Sequence, residues 1–204
     1  MNLPNKITLT RIFMIPIFVA IFFLEGILPY NYAIAAIVFA LAACTDFIDG
    51  HIARSRGLVT NLGKFLDPIA DKVLVSTAML LLLTMQSELD LFSYEGVYIA
   101  VAVCICVIMA RELIISAFRQ IAATRGLVMA ADKLGKYKTT FQDISIFVLI
   151  FSANVQEIFF KNTCSVWENY VTISGLILFA VATVLTVWSG ISYVVKNKQV
   201  LKDE

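Results

Sequence analysis

Six apolar runs recur along the 204 residues, each about long enough to carry a helix through a ~30 Å hydrocarbon layer. They fall at about 7–25, 32–53, 69–86, 95–120, 139–160 and 169–195. Inside lipid every backbone N–H and C=O must be satisfied by the segment itself, which a helix achieves and an open strand does not. The polar–apolar alternation of a membrane-spanning barrel is absent. The predicted architecture is therefore all-α: a polytopic membrane protein with six transmembrane helices in one domain, residues 1–204. Composition agrees, with 60% hydrophobic and only 15% charged residues, against about 45–50% and about 25% in soluble chains.

The charges predict an orientation. Of the 16 basic residues, 15 alternate onto one side of the six-span arrangement and only Lys161 falls on the other. Lys6 and Arg11 lie at the start, and Arg54, Arg56, Lys64 and Lys72 surround the second connection. Arg111, Arg119, Arg125, Lys133, Lys136 and Lys138 surround the fourth, and Lys196, Lys198 and Lys202 close the chain. Glu25, Glu88, Asp90, Glu95, Glu157 and Glu168 occupy the opposite side. Basic residues are retained in the cytoplasm, so both termini, and the aspartate-rich stretch from Thr45 to Lys72, are expected there. The first apolar segment is too long for a cleavable signal, and no small-residue cleavage site follows it. Cys44, Cys104, Cys106 and Cys164 lack metal-ligand spacing and are read as small core residues.

Against this apolar background stands "TDFIDGHIAR…GKFLDPIADK", which gathers Asp46, Asp49, Asp67 and Asp71 into 26 residues. Asp46 and Asp49 are spaced i, i+3 at the cytoplasmic end of the second span, so they share a helix face. Asp67 and Asp71 are spaced i, i+4 where the third span enters, with Pro68 suited to a first helical turn. A turn of 8–15 residues with Gly57, Asn61 and Gly63 is expected to make the two helices antiparallel neighbours. Carboxylates at a membrane boundary are costly, and four together repel unless a cation lies between them. An all-oxygen donor set favours Mg²⁺, Mn²⁺ or Ca²⁺ over zinc. Gly50 and Ala53 clear space beside the acids, and Arg54 can fork onto phosphate oxygens. Together these features read as a site for a nucleoside diphosphate linkage. His51, the only histidine, is read as a polar rim residue.

Written out, the stretch is D46-x2-D49-G50-x2-A53-R54-x8-G63-x3-D67-x3-D71. It is similar at every specified position to the signature of the CDP-alcohol phosphotransferase family of membrane enzymes. The resemblance implies transfer of a substituted phosphoryl group from a CDP-linked donor to an alcohol, with release of CMP. It implies a site for two ions, Mg²⁺ or Mn²⁺, on Asp46, Asp49, Asp67 and Asp71, with Asp71 deprotonating the attacking hydroxyl. It also implies that Gly50, Ala53 and Gly63 lie along the cytidine, that Arg54 lies near the diphosphate, and that the chain forms a homodimer. No nucleic acid is expected among the partners.

The acceptor is read from two other stretches. "NLPNKITLTRIF", with Asn5, Thr8 and Arg11, and "GKYKTTFQ" resemble the corresponding segments of bacterial phosphatidylglycerophosphate synthases. That branch of the family uses CDP-diacylglycerol as donor and sn-glycerol 3-phosphate as acceptor. Arg111, Arg119, Lys133, Lys136 and Lys138 are then the candidates for the acceptor phosphate. The last two are expected, with Thr139 and Thr140, just before the fifth helix, whose N-terminus attracts anions. For Asn5, Thr8 and Arg11, N-capping and headgroup anchoring compete with substrate contact. Phe13, Phe22, Phe23, Trp188 and Tyr193 are read as facing membrane lipid or its interface. The alternatives are a cardiolipin-type or inositol-phosphate synthase of the same family and, more distantly, a prenyltransferase or a cation transporter. A transporter is disfavoured because the acids gather at one face instead of crossing the midplane.

Overall fold

The computed structural model describes residues 3–55, 61–124, 133–159 and 166–198. Among these, six α-helices lie where the six apolar runs fall: α1 (Leu3–Phe22), α2 (Asn31–Ser55), α3 (Asn61–Leu82), α4 (Glu95–Thr124), α5 (Lys133–Phe159) and α6 (Val166–Lys196). A short 3-10 turn, Asp90–Ser93, precedes α4, and no strand occurs among the described residues. The described chain is thus all-helical. Asn5–Phe22, Glu95–Ala122 and Asn169–Lys196 are long and apolar enough to cross a membrane, and Asn31–Thr45 is a shorter apolar stretch.

Packing follows residue size. Phe18, Phe22 and Tyr32 join Phe39 in an aromatic group that locks α1 onto α2. Leu74, Met79 and Leu82 of α3 and Ile146, Leu149 and Ile150 of α5 extend the same core. α5 and α6 form the most extensive helix pair, while α4 rests chiefly on α6 and only lightly on α3. A smaller cluster of Ile115, Phe118, Ala122 and Tyr193 fastens the far end of α4 to α6. The outer faces expose Phe13, Ile17, Ile99, Val103, Val184, Trp188 and Ile191, an apolar coat suited to lipid.

Several expectations are corrected. α3 begins at Asn61, so Pro68 lies inside the helix and not in its first turn. Asn61 and Gly63, expected in the turn, belong to α3, and Gly57 lies with the rest of residues 56–60 outside the described residues. α5 likewise begins at Lys133, so Lys136, Lys138, Thr139 and Thr140 are within it. The reason is common to both. Hydropathy measures the thickness of hydrocarbon, whereas a helix continues into the polar layer wherever its backbone bonds are worth keeping. Phe22 and Tyr193 are buried between helices and do not face lipid, whereas Phe13, Phe23 and Trp188 are exposed. Cys104 is partly buried, but Cys44 and Cys106 are exposed and not core residues; Cys164 lies outside the described residues.

Candidate active site

α2 runs unbroken through positions 46–55, and α3 carries positions 63, 67 and 71. The two helices pack together, and every residue of the motif belongs to the same end of the pair. The side chains of Asp46, Asp49, Ala53, Arg54 and Asp67, and the surroundings of Gly50, lie outside the described residues, as does His51. Asp71 is half-buried between the buried Ala70 and Leu74, and Gly63 is buried.

α1 supplies a wall that the sequence left ambiguous. Asn5, Thr8 and Arg11 are all buried, Arg11 completely. Their i, i+3, i+6 spacing puts them on the face of α1 that packs against α2 and α3. Arg11 Nε donates to Thr45 Oγ1 at 3.2 Å, and Thr45 in turn donates to the Ala42 carbonyl. Thr45 immediately precedes Asp46. Neither rival reading of these residues survives. α1 starts at Leu3, so Asn5 is no N-cap, and a headgroup anchor would leave Arg11 exposed. A fully buried guanidinium is instead an interior element of this end of the bundle.

The candidate acceptor residues divide into two groups. Arg111 of α4 donates through Nη1 to Glu112 Oε1 at 3.0 Å and through Nη2 to Ser189 Oγ of α6 at 2.8 Å. Lys138 of α5, almost fully buried, donates to the same Glu112 oxygen. One carboxylate thus joins two cations from different helices. Gly190 lets Arg111 lie close along α6, because a Cβ there would stand 3.1 Å from Arg111 Cγ. Two turns further along α4, Arg119 Nε donates to Tyr193 Oη at 3.2 Å, with its guanidinium 5.2 Å from the ring centre. The side chains of Lys133 and Lys136 lie outside the described residues.

A further contact ties the two regions together. Lys72, next to Asp71 on α3, donates to Ser116 Oγ of α4, and Ser116 donates to the Glu112 carbonyl. Sequence reasoning passed over Lys72, Ser116, Ser189 and Gly190. An acid within an apolar span such as Glu112, and a Ser–Gly pair within an apolar helix, were the signals available. A cavity of about 530 Å³ lies at the opposite end of the bundle, where Glu25, Glu88 and Glu157 line it. It belongs to the acidic face and is remote from the motif.

Comparison with known proteins agrees with this geometry. The profile of the CDP-alcohol phosphatidyltransferase family matches residues 1–188. A Bacillus subtilis protein named CDP-diacylglycerol–glycerol-3-phosphate 3-phosphatidyltransferase is 38% identical, over 98% of this chain and 97% of its own. Proteins of the same name from Salmonella paratyphi A and Escherichia coli K12 are each 35% identical, over 100% of this chain and 98% of their own. A motif matched at every position, carried on two contacting helices within a match that spans nearly all of the sequence, places this chain in the CDP-alcohol phosphatidyltransferase family.

Proposed function

We propose that this protein transfers the phosphatidyl group of CDP-diacylglycerol to sn-glycerol 3-phosphate, yielding phosphatidylglycerol phosphate and CMP. The observation that carries this reading is the near-full-length likeness, at 35–38% identity, to enzymes bearing that name. The cationic Arg111–Glu112–Lys138 group supports a phosphorylated acceptor in particular.

The donor set fits a hard divalent cation, since four carboxylates and no soft ligand occur in the motif. Asp46, Asp49, Asp67 and Asp71 would hold it, as two Mg²⁺ or Mn²⁺ ions. When bound, the metal supplies positive charge to the diphosphate and to the departing CMP oxygen. The protein's own residues do the rest. Asp71 takes the proton of the acceptor hydroxyl as that oxygen forms its bond to the phosphatidyl phosphorus and the bond to the CMP oxygen breaks. Arg54 neutralises the diphosphate, while Gly50, Ala53 and Gly63 leave room for the cytidine. Arg111, Arg119, Lys133, Lys136 and Lys138 receive the phosphate that the acceptor already carries.

Six membrane spans, cytoplasmic termini and a site on the cytoplasmic side of the bacterial cell membrane complete the reading. The one-sided distribution of basic residues supports all three. The apolar exterior supports a lipid surround, and the family resemblance supports a homodimer. The test is CMP release by purified protein in lipid–detergent micelles with CDP-diacylglycerol and Mg²⁺, comparing glycerol 3-phosphate, phosphatidylglycerol and inositol phosphate. Release with glycerol 3-phosphate alone, abolished by a chelator, is expected. Asp71→Asn should lower turnover by about 10²–10⁴-fold, the usual contribution of a general base, with unchanged helical circular dichroism. Near-normal turnover in that variant removes Asp71 as the base.

A further inference from the structure

We propose that Glu112 is a positioning residue that holds Arg111 and Lys138 together as a single receiver for the acceptor's phosphate. The proposal rests on the reading above that this cationic group meets the acceptor.

Three observations carry it. First, α4 and α5 are not among the extensively packed helix pairs, yet Glu112 Oε1 accepts from Arg111 of α4 and Lys138 of α5 at once. The carboxylate therefore joins two helices that packing alone leaves apart. Second, exposure is graded across the group: the side chain of Lys138 is 5% exposed, that of Arg111 17% and that of Glu112 28%. A cation as enclosed as Lys138 is stable only when paired, and two enclosed cations side by side repel. Glu112 offsets that repulsion and the three side chains together carry one net positive charge, while the Asp143 carboxylate of α5 also acts on Lys138. Third, Arg111 still has unused binding capacity. Its Nε–H is buried without a partner among the described residues, although Ser189 and Glu112 already hold both Nη atoms. Buried donors are rarely left unmatched, and this one lies where the guanidinium packs against Gly190, so the clamp holds Arg111 without satisfying it.

Glu112 therefore orients without itself touching the phosphate. Its effect belongs in the binding of the acceptor and not in that of the donor or in the chemical step. A carboxylate merely occupying the anion's place would act with the opposite sign, because its removal would tighten acceptor binding.

The experiment compares wild type, Glu112→Gln and Glu112→Asp in the micelle assay, reading the KM for acceptor and for CDP-diacylglycerol, kcat and thermal unfolding. The amide should raise the acceptor KM about tenfold or more and move the donor KM and kcat by less than about threefold. The aspartate keeps the charge one methylene short and should fall between the two. An acceptor KM that is unchanged or lowered in folded Glu112→Gln overturns the proposal. If that variant does not fold, Glu112→Asp decides: a raised acceptor KM supports positioning, and a wild-type value reduces Glu112 to a structural pair and overturns it. The wild-type control separates the two levels of inference. Activity with a different phosphorylated acceptor corrects the acceptor's name, and the same KM comparison then tests Glu112 with that compound. Activity only with an acceptor that lacks a phosphomonoester overturns both.

Discussion

Asn154 shows how much one buried side chain can do in a helical bundle. Its Oδ1 accepts from the backbone N–H of Ala33 at 3.0 Å, and its Nδ2 donates to Glu157 at 3.3 Å. Ala33 lies in the first turn of α2, where N–H groups have no partner within their own helix, so α5 supplies from 121 positions away what a local cap ordinarily would. At the other side of the same junction Asn31 Nδ2 donates to the Phe22 carbonyl at the end of α1. Removing the first contact strands a buried N–H. Asn154→Ala is expected to destabilise the protein by about 1–3 kcal/mol, read as a lower Tm in micelles. An unchanged Tm for the alanine variant would show that Ala33 finds another acceptor. None of this is legible in the sequence, where Asn154 is one polar residue in an apolar run; the four-aspartate motif is legible because it is written as fixed spacing between near neighbours.

At the scale of elements, α5 and α6 are joined by close approach and by hydroxyl groups. Gly175 sits where an added Cβ would lie 2.8 Å from Leu149 Cδ2 and 3.2 Å from Val148 Cγ1. Leu149 is fully buried. Beside it Thr172 donates to Ser152 Oγ at 3.1 Å across the same interface. Small residues that let backbones approach, with hydroxyls bonding between them, are the usual adhesive between helices in lipid. Gly175→Val is therefore expected to cost about 1–3 kcal/mol through overpacking, seen as a lower Tm and as loss of the folded peak on gel filtration. A Tm equal to wild type would mean that α6 can slide past Leu149 without penalty. The existence of the helices was readable from hydropathy, but their first turns were not. α3 and α5 extend eight and six residues beyond the expected starts at 69 and 139, to Asn61 and Lys133. Those turns are polar, so a criterion built on hydrocarbon burial misses them.

On the scale of the whole molecule, the two ends of the bundle differ in charge: Glu25, Glu88 and Glu157 gather around a cavity at one end, and Arg11 and Lys138 are buried and Arg111 half-buried toward the other. The proposed orientation makes a direct prediction. With the native cysteines changed to alanine, Ser87→Cys should react with a membrane-impermeant maleimide in intact spheroplasts. Lys198→Cys should react only after permeabilisation, and the reverse pattern would invert the topology. The sequence by itself determined that this chain is helical and apolar, and that four aspartates stand at fixed spacing beside Gly50, Ala53 and Arg54. Those properties follow from backbone satisfaction in lipid and from local helical geometry, both written in neighbouring residues. Only the tertiary structure decided what its buried cations meet: Arg11 with Thr45, Arg111 with Ser189, and Lys138 with Glu112. These partners lie 34, 78 and 26 positions apart. No short-range pattern specifies such pairs, because each is chosen by which helices pack and by the cost of leaving a charge unpaired between them.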